Sequence, residues 1–295
     1  MEIIYPYGEQ SLQEKRDIFC QEGLNAVLVM ICLYREKSHL KTTVQGLIMR
    51  NKIVICIFLL GAAVLLRGAP SRHYQPEIEV YYAPKIPFSA CLSDAVWKKS
   101  AVYPFMRSVG ELSDFYKSPW EGGKLRLLYD DEYLYIGAQL QDSEVLSDGK
   151  KNQDFLYAKG DVVEVFLKPA DQNYYWEIYG TPHKLTSCFY FPARGMLGLP
   201  SGYQDPGAAV KVDARVFGTF NQSCDKDIGW NVLIAIPLAD LRKNGMKFVP
   251  EEKWTIFVAR YNYSRYLPAC EFSGVPQKFA DFHVLGDYAR LIIKR

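Results

Sequence analysis

Two segments near the middle of the chain alternate apolar with polar or aromatic residues at the two-residue period of a half-buried β-strand. The first covers residues 160–167 (GDVVEVFL) and the second residues 174–180 (YYWEIYG). Alternation places Glu164 on one face of the first strand, and Glu177 and Tyr179 together on one face of the second. Residues 169–173 fit a hairpin connection. If the strands pair, two carboxyl groups lie close together on an aromatic-rich sheet face.

Strand-like patterns continue along the rest of the chain. Further strands are predicted over residues 124–130, 133–142, 183–191, 208–220, 229–237, 254–263 and 288–294. Pro237 ends one of them, and the LADLRKNG that follows predicts one short helix that stops at Gly245. Closely spaced strands with almost no helix predict an all-β fold. We expect an antiparallel β-sandwich of jelly-roll or immunoglobulin-like type.

The apolar faces of these strands predict the hydrophobic core. Its expected members are Val163, Val165, Trp176, Ile178, Leu134 and Ile136. Three further tryptophans, Trp97, Trp230 and Trp254, also lie beside strand-forming apolar residues and are expected in the core. Trp120 lies in a Pro-Trp-Glu-Gly-Gly loop and is expected to be exposed.

The amino-terminal part of the chain has the layout of an export signal. Arg50 and Lys52 precede fourteen apolar residues, 53–66, and small residues follow. This pattern predicts a signal peptide over residues 49–69, with Met49 as the initiator and residues 1–48 as an upstream extension. The alternative is a cytoplasmic segment followed by a signal anchor at residues 53–66. The first interpretation predicts a secreted or periplasmic protein that leaves the membrane after cleavage.

Charge and cysteine usage exclude some classes of protein. Removing residues 1–69 leaves 27 Lys and Arg (35 − 8) and 27 Asp and Glu (33 − 6), so the mature chain is neutral. No basic stripe remains that would indicate nucleic-acid binding. The remaining cysteines, Cys91, Cys188, Cys224 and Cys270, are compatible with disulfides or with isolated thiols.

No motif for a cofactor is present in the sequence. Asp130, Asp131, Asp142 and Asp154 supply carboxylate oxygens that calcium prefers, but they form no recognisable calcium loop. We therefore expect no cofactor, with calcium left open.

Six segments in order resemble the family 9 carbohydrate-binding modules, in particular their DOMON-like bacterial branch. They are DAVWKKS, LRLLYDDEYLYIGAQLQD, GDVVEVFLKP, YYWEIYGTPHK, GWNVLIAIPLADL and WTIFVARYNY. The resemblance extends over residues 76–295 and implies one β-sandwich domain there. It further implies that the domain holds sugars between aromatic side chains backed by polar residues.

The resemblance also implies which residues bind the sugar. The family's acidic ligand falls on Glu164, and its polar positions on the next strand fall on Glu177 and Tyr179, where arginine and asparagine are usual. The first aromatic platform falls on Tyr157 with Phe155 before it. The second platform falls on Phe282 beside His283. Apart from the resemblance, strand alternation places Arg260 and Asn262, two residues apart, on one face, which we expect to be the face of Glu164, Glu177 and Tyr179.

These implications predict an exported, non-catalytic carbohydrate-binding protein that acts in carbohydrate catabolism. Its expected partners are sugars or polysaccharide fragments, together with glycan-degrading enzymes. A β-sandwich for surface attachment, with no sugar ligand, is a further interpretation.

Two other classes of function stay open at this point. Glu164 and Glu177 could act as the acid and nucleophile of an enzyme that hydrolyses O-glycosyl bonds, as in retaining glycosidases, where the carboxyls are about 5–5.5 Å apart. A haem-binding DOMON-like protein would need axial ligands, for which the sequence offers Met106, Met196, His183 and His283.

Overall fold

The computed structural model describes residues 75–110, 116–194, 209–242, 246–279 and 281–295. All of them belong to one of two compact units, His73–Arg295. The predicted upstream extension and signal peptide, residues 1–48 and 49–69, lie outside the described residues. Within these ranges, no helix is long and apolar enough to cross a membrane.

The described residues are mostly β-strand. The strands are β1 (Glu77–Tyr82), β2 (Tyr103–Pro104), β3 (Met106–Arg107), β4 (Gly123–Tyr129), β5 (Tyr133–Gln141), β6 (Val162–Pro169), β7 (Tyr175–Gly180), β8 (Cys188–Phe191), β9 (Lys211–Phe217), β10 (Gly229–Pro237), β11 (Trp254–Asn262), β12 (Glu271–Val275) and β13 (Ala289–Lys294). The predicted helix is confirmed as α1 (Leu238–Leu241), which follows Pro237 directly. Short 3-10 turns cover Ala95–Lys99, Leu156–Ala158 and Leu285–Asp287.

The strands form one curled sheet, a half-barrel of 13 strands. Its order is β8-β7-β6-β11-β13-β1-β4-β5-β10-β9, with β2 on β4, and with β12 between β11 and β3. The mostly-β prediction is confirmed, whereas the sandwich and jelly-roll details are not. The prediction that all strands are antiparallel is wrong for β1, which pairs in parallel with both β13 and β4.

The main core lies on the inner face of the curled sheet. It contains Val163, Val165, Trp176 and Ile178 from β6 and β7 together with apolar residues of β4, β5 and β10. All six predicted core positions are buried, as are Trp97, Trp230 and Trp254, whereas Trp120 is 45% exposed. The core prediction is therefore confirmed.

Two smaller clusters cover the outer faces. One lies on the outside of β6, β7 and β11 and consists mostly of aromatic residues. The other lies on the outside of β4, β5 and β10, around Trp97. The four cysteines, Cys91, Cys188, Cys224 and Cys270, are free thiols. The core of the described domain therefore forms without a disulfide among them.

Candidate functional site

The turn that begins β6 fixes where its first glutamate lies. Gly160 has φ +131°, and a Cβ there would meet the Leu146 carbonyl oxygen at 2.5 Å, so the turn requires glycine. The buried Asp161 carboxylate accepts hydrogen bonds from the backbone amides of Leu146 (2.7 Å) and Tyr263 (2.8 Å). Together these contacts hold the start of β6 against the end of β11.

Antiparallel pairing of β6 with β7 places the two glutamates on one face, as the sequence predicts. Glu164 lies opposite Tyr179, and Glu177 lies opposite Phe166. Glu164 and Glu177 are therefore diagonal neighbours on that face, a geometry in which Cα atoms are about 7–8 Å apart. Residues between the two strands make the predicted hairpin.

Both carboxyl groups are buried. Glu164 is 2% exposed and Glu177 is 6% exposed. Burial raises the pKa of Glu177 to about 7, although the Tyr179 hydroxyl donates a hydrogen bond to Glu177 Oε1 and opposes the rise. Burial and the neighbouring Glu177 also raise the pKa of Glu164 well above its ordinary value. The pair therefore retains protons to higher pH than exposed glutamates do.

Aromatic rings surround this pair of carboxyls. The outer cluster contains Tyr157, Phe166, Tyr175, Tyr179, Phe189, Phe191, Phe257, Tyr261, Phe282 and Tyr288. The ring of Tyr157 lies edge-on to Tyr179 at 6.3 Å and tilted to Tyr261 at 5.9 Å between centroids. The two carboxyls thus lie in an aromatic cage, which we define as Glu164, Glu177, Tyr157, Tyr179 and Tyr261.

The rim of the cage is formed by the 3-10 turn Leu156–Ala158 and the residue before it. Leu156 is fully buried and anchors the turn, while Tyr157 is half-buried. The Tyr263 hydroxyl donates a hydrogen bond of 2.9 Å to the Tyr157 carbonyl. Phe155 is 51% exposed and stacks on Phe189, with centroids 5.6 Å apart. Tyr157 and Phe155 therefore present aromatic surface at this edge, where the sequence predicts a platform.

The prediction of a second platform at Phe282 is wrong. Phe282 is only 5% exposed, and its ring packs against Phe257 at 5.2 Å and Tyr261 at 5.7 Å. Its neighbour His283 lies 2.8 Å from the Tyr175 hydroxyl through Nδ1, and its Nε2 lies 3.9 Å from Glu177 Oε2. Burial lowers the pKa of His283 to about 4, so its ring is neutral at pH 7.

The structure also places Arg260 and Asn262 away from the cage. In the pairing of β6 with β11, Ala259 lies opposite Glu164, so Arg260 and Asn262 point to the other face of β11. There Arg260 donates to the carbonyls of Glu121 (2.9 Å) and Gln141 (2.6 Å). Asn262 Nδ2 donates to Glu121 Oε2 at 2.8 Å. Both residues hold buried strand ends and loops together, so the prediction that they share a face with the glutamates is wrong.

Tyr261 is a cage residue that the sequence analysis missed. It lies opposite Val162 and thus on the face of Glu164, and burial together with both glutamates raises its pKa. The signal was present in the sequence, because Trp254, Ile256 and Val258 share the parity of Arg260. Three large apolar residues at that parity indicate the core face, which leaves Tyr261 on the outer one.

Other candidate ligands in the described part of the chain already have protein partners. His183 packs against Phe220 at 5.2 Å, and His283 contacts Tyr175; Met196 lies outside the described residues. Asp130 accepts a hydrogen bond from the Tyr135 hydroxyl, and Asp142 accepts one from Arg260. Among the residues that the structure describes, no group of three His, Cys, Asp or Glu is arranged to hold a metal ion.

Residues 90–181 match the family described as carbohydrate family 9 binding domain-like. This confirms the resemblance over a range that includes Glu164, Glu177, Tyr179 and Tyr157. No curated protein matches the chain.

Among solved structures, the chain is similar to a candidate carbohydrate-binding protein from Bacteroides uniformis ATCC 8492. The TM-score is 0.55 and the identity 12%, over 74% of this chain and 99% of that one. A family 9 carbohydrate-binding module from Caldicellulosiruptor kristjanssonii with cellotriose gives a TM-score of 0.49 and 14% identity, over 74% and 93%. A family 9 module from the same organism with glucose gives a TM-score of 0.48 and 13% identity, over 74% of this chain and 95% of that one. At 12% identity, the TM-score of 0.55 with the Bacteroides uniformis protein supports a shared fold.

Proposed function

From the family 9 match of residues 90–181, we propose that this chain binds carbohydrate without catalysing a reaction, and that the aromatic cage is its sugar site. In this proposal Glu164, Glu177 and Tyr179 supply polar contacts, and Tyr157 and Tyr261 supply aromatic surface. Phe155 extends that surface at the rim. Arg260, Asn262 and Phe282 act by supporting the strands and loops from behind.

The chemistry of the cage suits a pyranose. A sugar ring has an apolar C–H face that packs on an aromatic plane, and hydroxyl groups that need fixed hydrogen-bonding partners. Aromatic contacts and hydrogen bonds to carboxyl groups each contribute about 1–2 kcal/mol, so a few of them give micromolar to millimolar binding.

The observation that carries the proposal is the state of Glu164. Its side chain is almost fully buried, yet no hydrogen bond to its carboxyl is formed by the residues that the structure describes. Its oxygens are not among the fully enclosed side-chain atoms that lack a hydrogen-bond partner, so the carboxyl is a site that a ligand can reach. A sugar hydroxyl that reaches Glu164 between Tyr157 and Tyr261 would form a hydrogen bond with it.

The proposal includes the arrangement of the domain, residues 76–295, as a β-sandwich. Its support is the contact between the two ends of the curled sheet. A Cβ at Gly180 in β7 would lie 2.7 Å from Ile234 Cγ1 in β10, so these strands pack face to face. Such packing across a shared apolar core is what two layers of a sandwich require.

We further propose export of the protein, with cleavage near residue 69, and a role in carbohydrate catabolism beside glycan-degrading enzymes. The support is the sequence pattern of residues 49–69. Mass-spectrometric determination of the amino terminus of the native protein tests it. Peptides from residues 1–48 in that protein would exclude Met49 as the start.

A glycan array, with and without calcium, followed by calorimetry of the best ligand, tests the binding proposal. We expect Glu164→Gln to weaken binding about two- to tenfold, since a hydrogen bond to an uncharged carboxyl contributes about 0.5–1.5 kcal/mol. Glu132→Gln, at an exposed turn between β4 and β5, is the matched control and should bind like the wild type. Equal binding by both variants would place the site elsewhere.

Two further measurements distinguish the other classes of function. Hydrolysis of a glycoside by the purified protein, lost in Glu164→Gln, would replace the proposal with an enzyme. A Soret absorption band in protein from haem-replete cells would indicate a haem-binding protein instead.

A further inference from the structure

The carboxyl pair in the cage lacks a positively charged partner. The pKa of Glu164 is raised by burial and by Glu177, and no basic group opposes that rise. Only the Tyr179 hydroxyl lowers the pKa of Glu177. Among the described residues, no Lys or Arg side chain forms an ion pair with either carboxyl. This contrasts with Asp142, another buried carboxyl, whose charge Arg260 balances at 3.1 Å.

The basic groups beside the aromatic cluster already have other partners. Lys278 Nζ donates to the carbonyls of Asp281 (2.8 Å) and Phe282 (3.0 Å) and lies over the Phe257 ring. Arg194 pairs with Asp281 at 3.2 Å. His283 faces Glu177 but is neutral at pH 7. The remaining titratable groups facing the pair are tyrosine hydroxyls, which add no positive charge.

The tyrosine rings of the cage also favour a bound cation. The faces of Tyr157, Tyr179 and Tyr261 are aromatic, and an aromatic face attracts a cation within about 6 Å of the ring centre. Two buried carboxyls, one without a hydrogen-bonding partner in the described residues, lie on the same sheet face as Tyr179 and Tyr261. An ammonium group has three N–H donors and would satisfy both carboxyls at once.

We propose that the cage selects amino sugars, in which a protonated primary amine on the pyranose ring lies between Glu164 and Glu177. The inference rests on the proposed carbohydrate binding and specifies its ligand class. The sugar ring packs against Tyr157 and Tyr261, while the ammonium group replaces the protons that burial keeps on the pair. A neutral or N-acetylated sugar offers hydroxyls or an amide here and leaves the pair without a counter-charge.

Proton exchange gives the selectivity a pH dependence. The ammonium pairs with ionised carboxyls, so binding of an amino sugar releases protons from the pair. Its affinity should rise from about pH 5 to about pH 7, where Glu177 loses its proton, and fall once the amine itself deprotonates. A neutral sugar should show no such rise.

Calorimetry with the purified protein tests this, using a glucosamine trimer and an N-acetylglucosamine trimer at pH 5 and pH 7. At pH 7 we expect the glucosamine trimer to bind at least about tenfold more tightly than the N-acetylglucosamine trimer. Proton release should appear as a dependence of the measured binding heat on the ionisation heat of the buffer. Glu177→Gln should remove most of the preference, whereas Glu132→Gln should keep it. The wild-type comparison stands even if a cage variant folds poorly.

The outcomes separate this inference from the proposed function. If the two trimers bind equally, or neutral sugars bind better, and Glu164→Gln weakens that binding, the amino-sugar preference is overturned while carbohydrate binding stands. If no neutral or amino sugar binds, both are overturned. If the glucosamine trimer binds but Glu177→Gln retains the full preference, the ammonium does not lie at this pair.

Discussion

Arg260 and Asp142 form an ion pair in which neither side chain is exposed, with Arg260 Nη2 3.1 Å from Asp142 Oδ2. The same Asp142 oxygen accepts a hydrogen bond of 3.1 Å from the Trp230 indole N–H. Burial nevertheless raises the pKa of Asp142 to about 6. The pair ties the end of β11 to the residue that follows β5, on the sheet face opposite the cage.

Removing one member of this pair should destabilise the fold strongly. We expect Arg260→Met to lower the free energy of unfolding by about 3–5 kcal/mol, because it leaves Asp142 buried without a counter-charge. Urea denaturation measures the change. The double variant Arg260→Met, Asp142→Asn should recover part of the loss, and an Arg260→Met protein as stable as the wild type would contradict a buried pair.

Stability should also depend on pH through Glu177. Its pKa is about 7 in the folded protein against an ordinary value of 4.5, so between these values the folded state holds a proton that the unfolded state has lost. Stability therefore falls as the pH rises through that window. Glu177→Gln should remove up to about 3 kcal/mol of this fall, since each pKa unit corresponds to about 1.4 kcal/mol.

Denaturant unfolding of wild type and Glu177→Gln at pH 4.5 and pH 8 measures the difference. Glu132→Gln serves as the control, because its side chain is exposed. Parallel pH profiles of the wild type and Glu177→Gln would show that Glu177 ionises normally in the folded protein.

The main core should depend on Trp176. This side chain is 1% exposed and contacts Tyr174, Tyr190 and Trp254. We expect Trp176→Ala to cost about 3–5 kcal/mol of stability. Trp120→Ala is the matched control, since Trp120 is 45% exposed and its stacking on Arg107 contributes about 0.5–1 kcal/mol. An equal loss of unfolding free energy in Trp176→Ala and Trp120→Ala, measured by denaturation, would contradict the assignment of Trp176 to the core.

Phe282 and Phe155 should separate stability from binding. Phe282→Ala should lower stability by about 3–5 kcal/mol because its ring is buried in the aromatic cluster. Phe155→Ala should weaken sugar binding with a much smaller effect on stability, since half of its surface is exposed. Phe88→Ala, 46% exposed in a loop that follows β1, is the control for both measurements. Thermal melting and calorimetry of the three variants check this.

The sequence predicted the strands and the shared face of Glu164 and Glu177, because two-residue alternation is a local property. It failed on β11, where Arg260 and Asn262 were predicted, as two polar residues, to share the face of the glutamates, although Trp254, Ile256 and Val258 mark their face as core. A buried arginine is hard to predict from sequence, since its cost is offset by partners such as Gln141 and Asp142 that lie more than a hundred residues away.

The prediction for Phe282 was wrong because of the path of its loop. The resemblance implied an exposed platform there, but the loop that carries Phe282 folds back over β6 and β11, and the Tyr288 hydroxyl and the Lys278 amine donate hydrogen bonds to its carbonyl. Such contacts depend on the path of a loop in three dimensions. Strand alternation contains no information about that path.

The parallel pairing of β1 with β13 has a consequence for how the chain folds during synthesis. Glu77 lies opposite Arg290, which follows it by 213 residues, whereas only two residues of β1 pair with the earlier β4. On the ribosome, most of β1 therefore has no strand partner until almost the whole domain, including β13, has emerged. Contacts between such distant residues slow folding and expose unpaired strand edges in the meantime. A nascent chain of this protein thus depends on β13 to complete the strand pairing of β1.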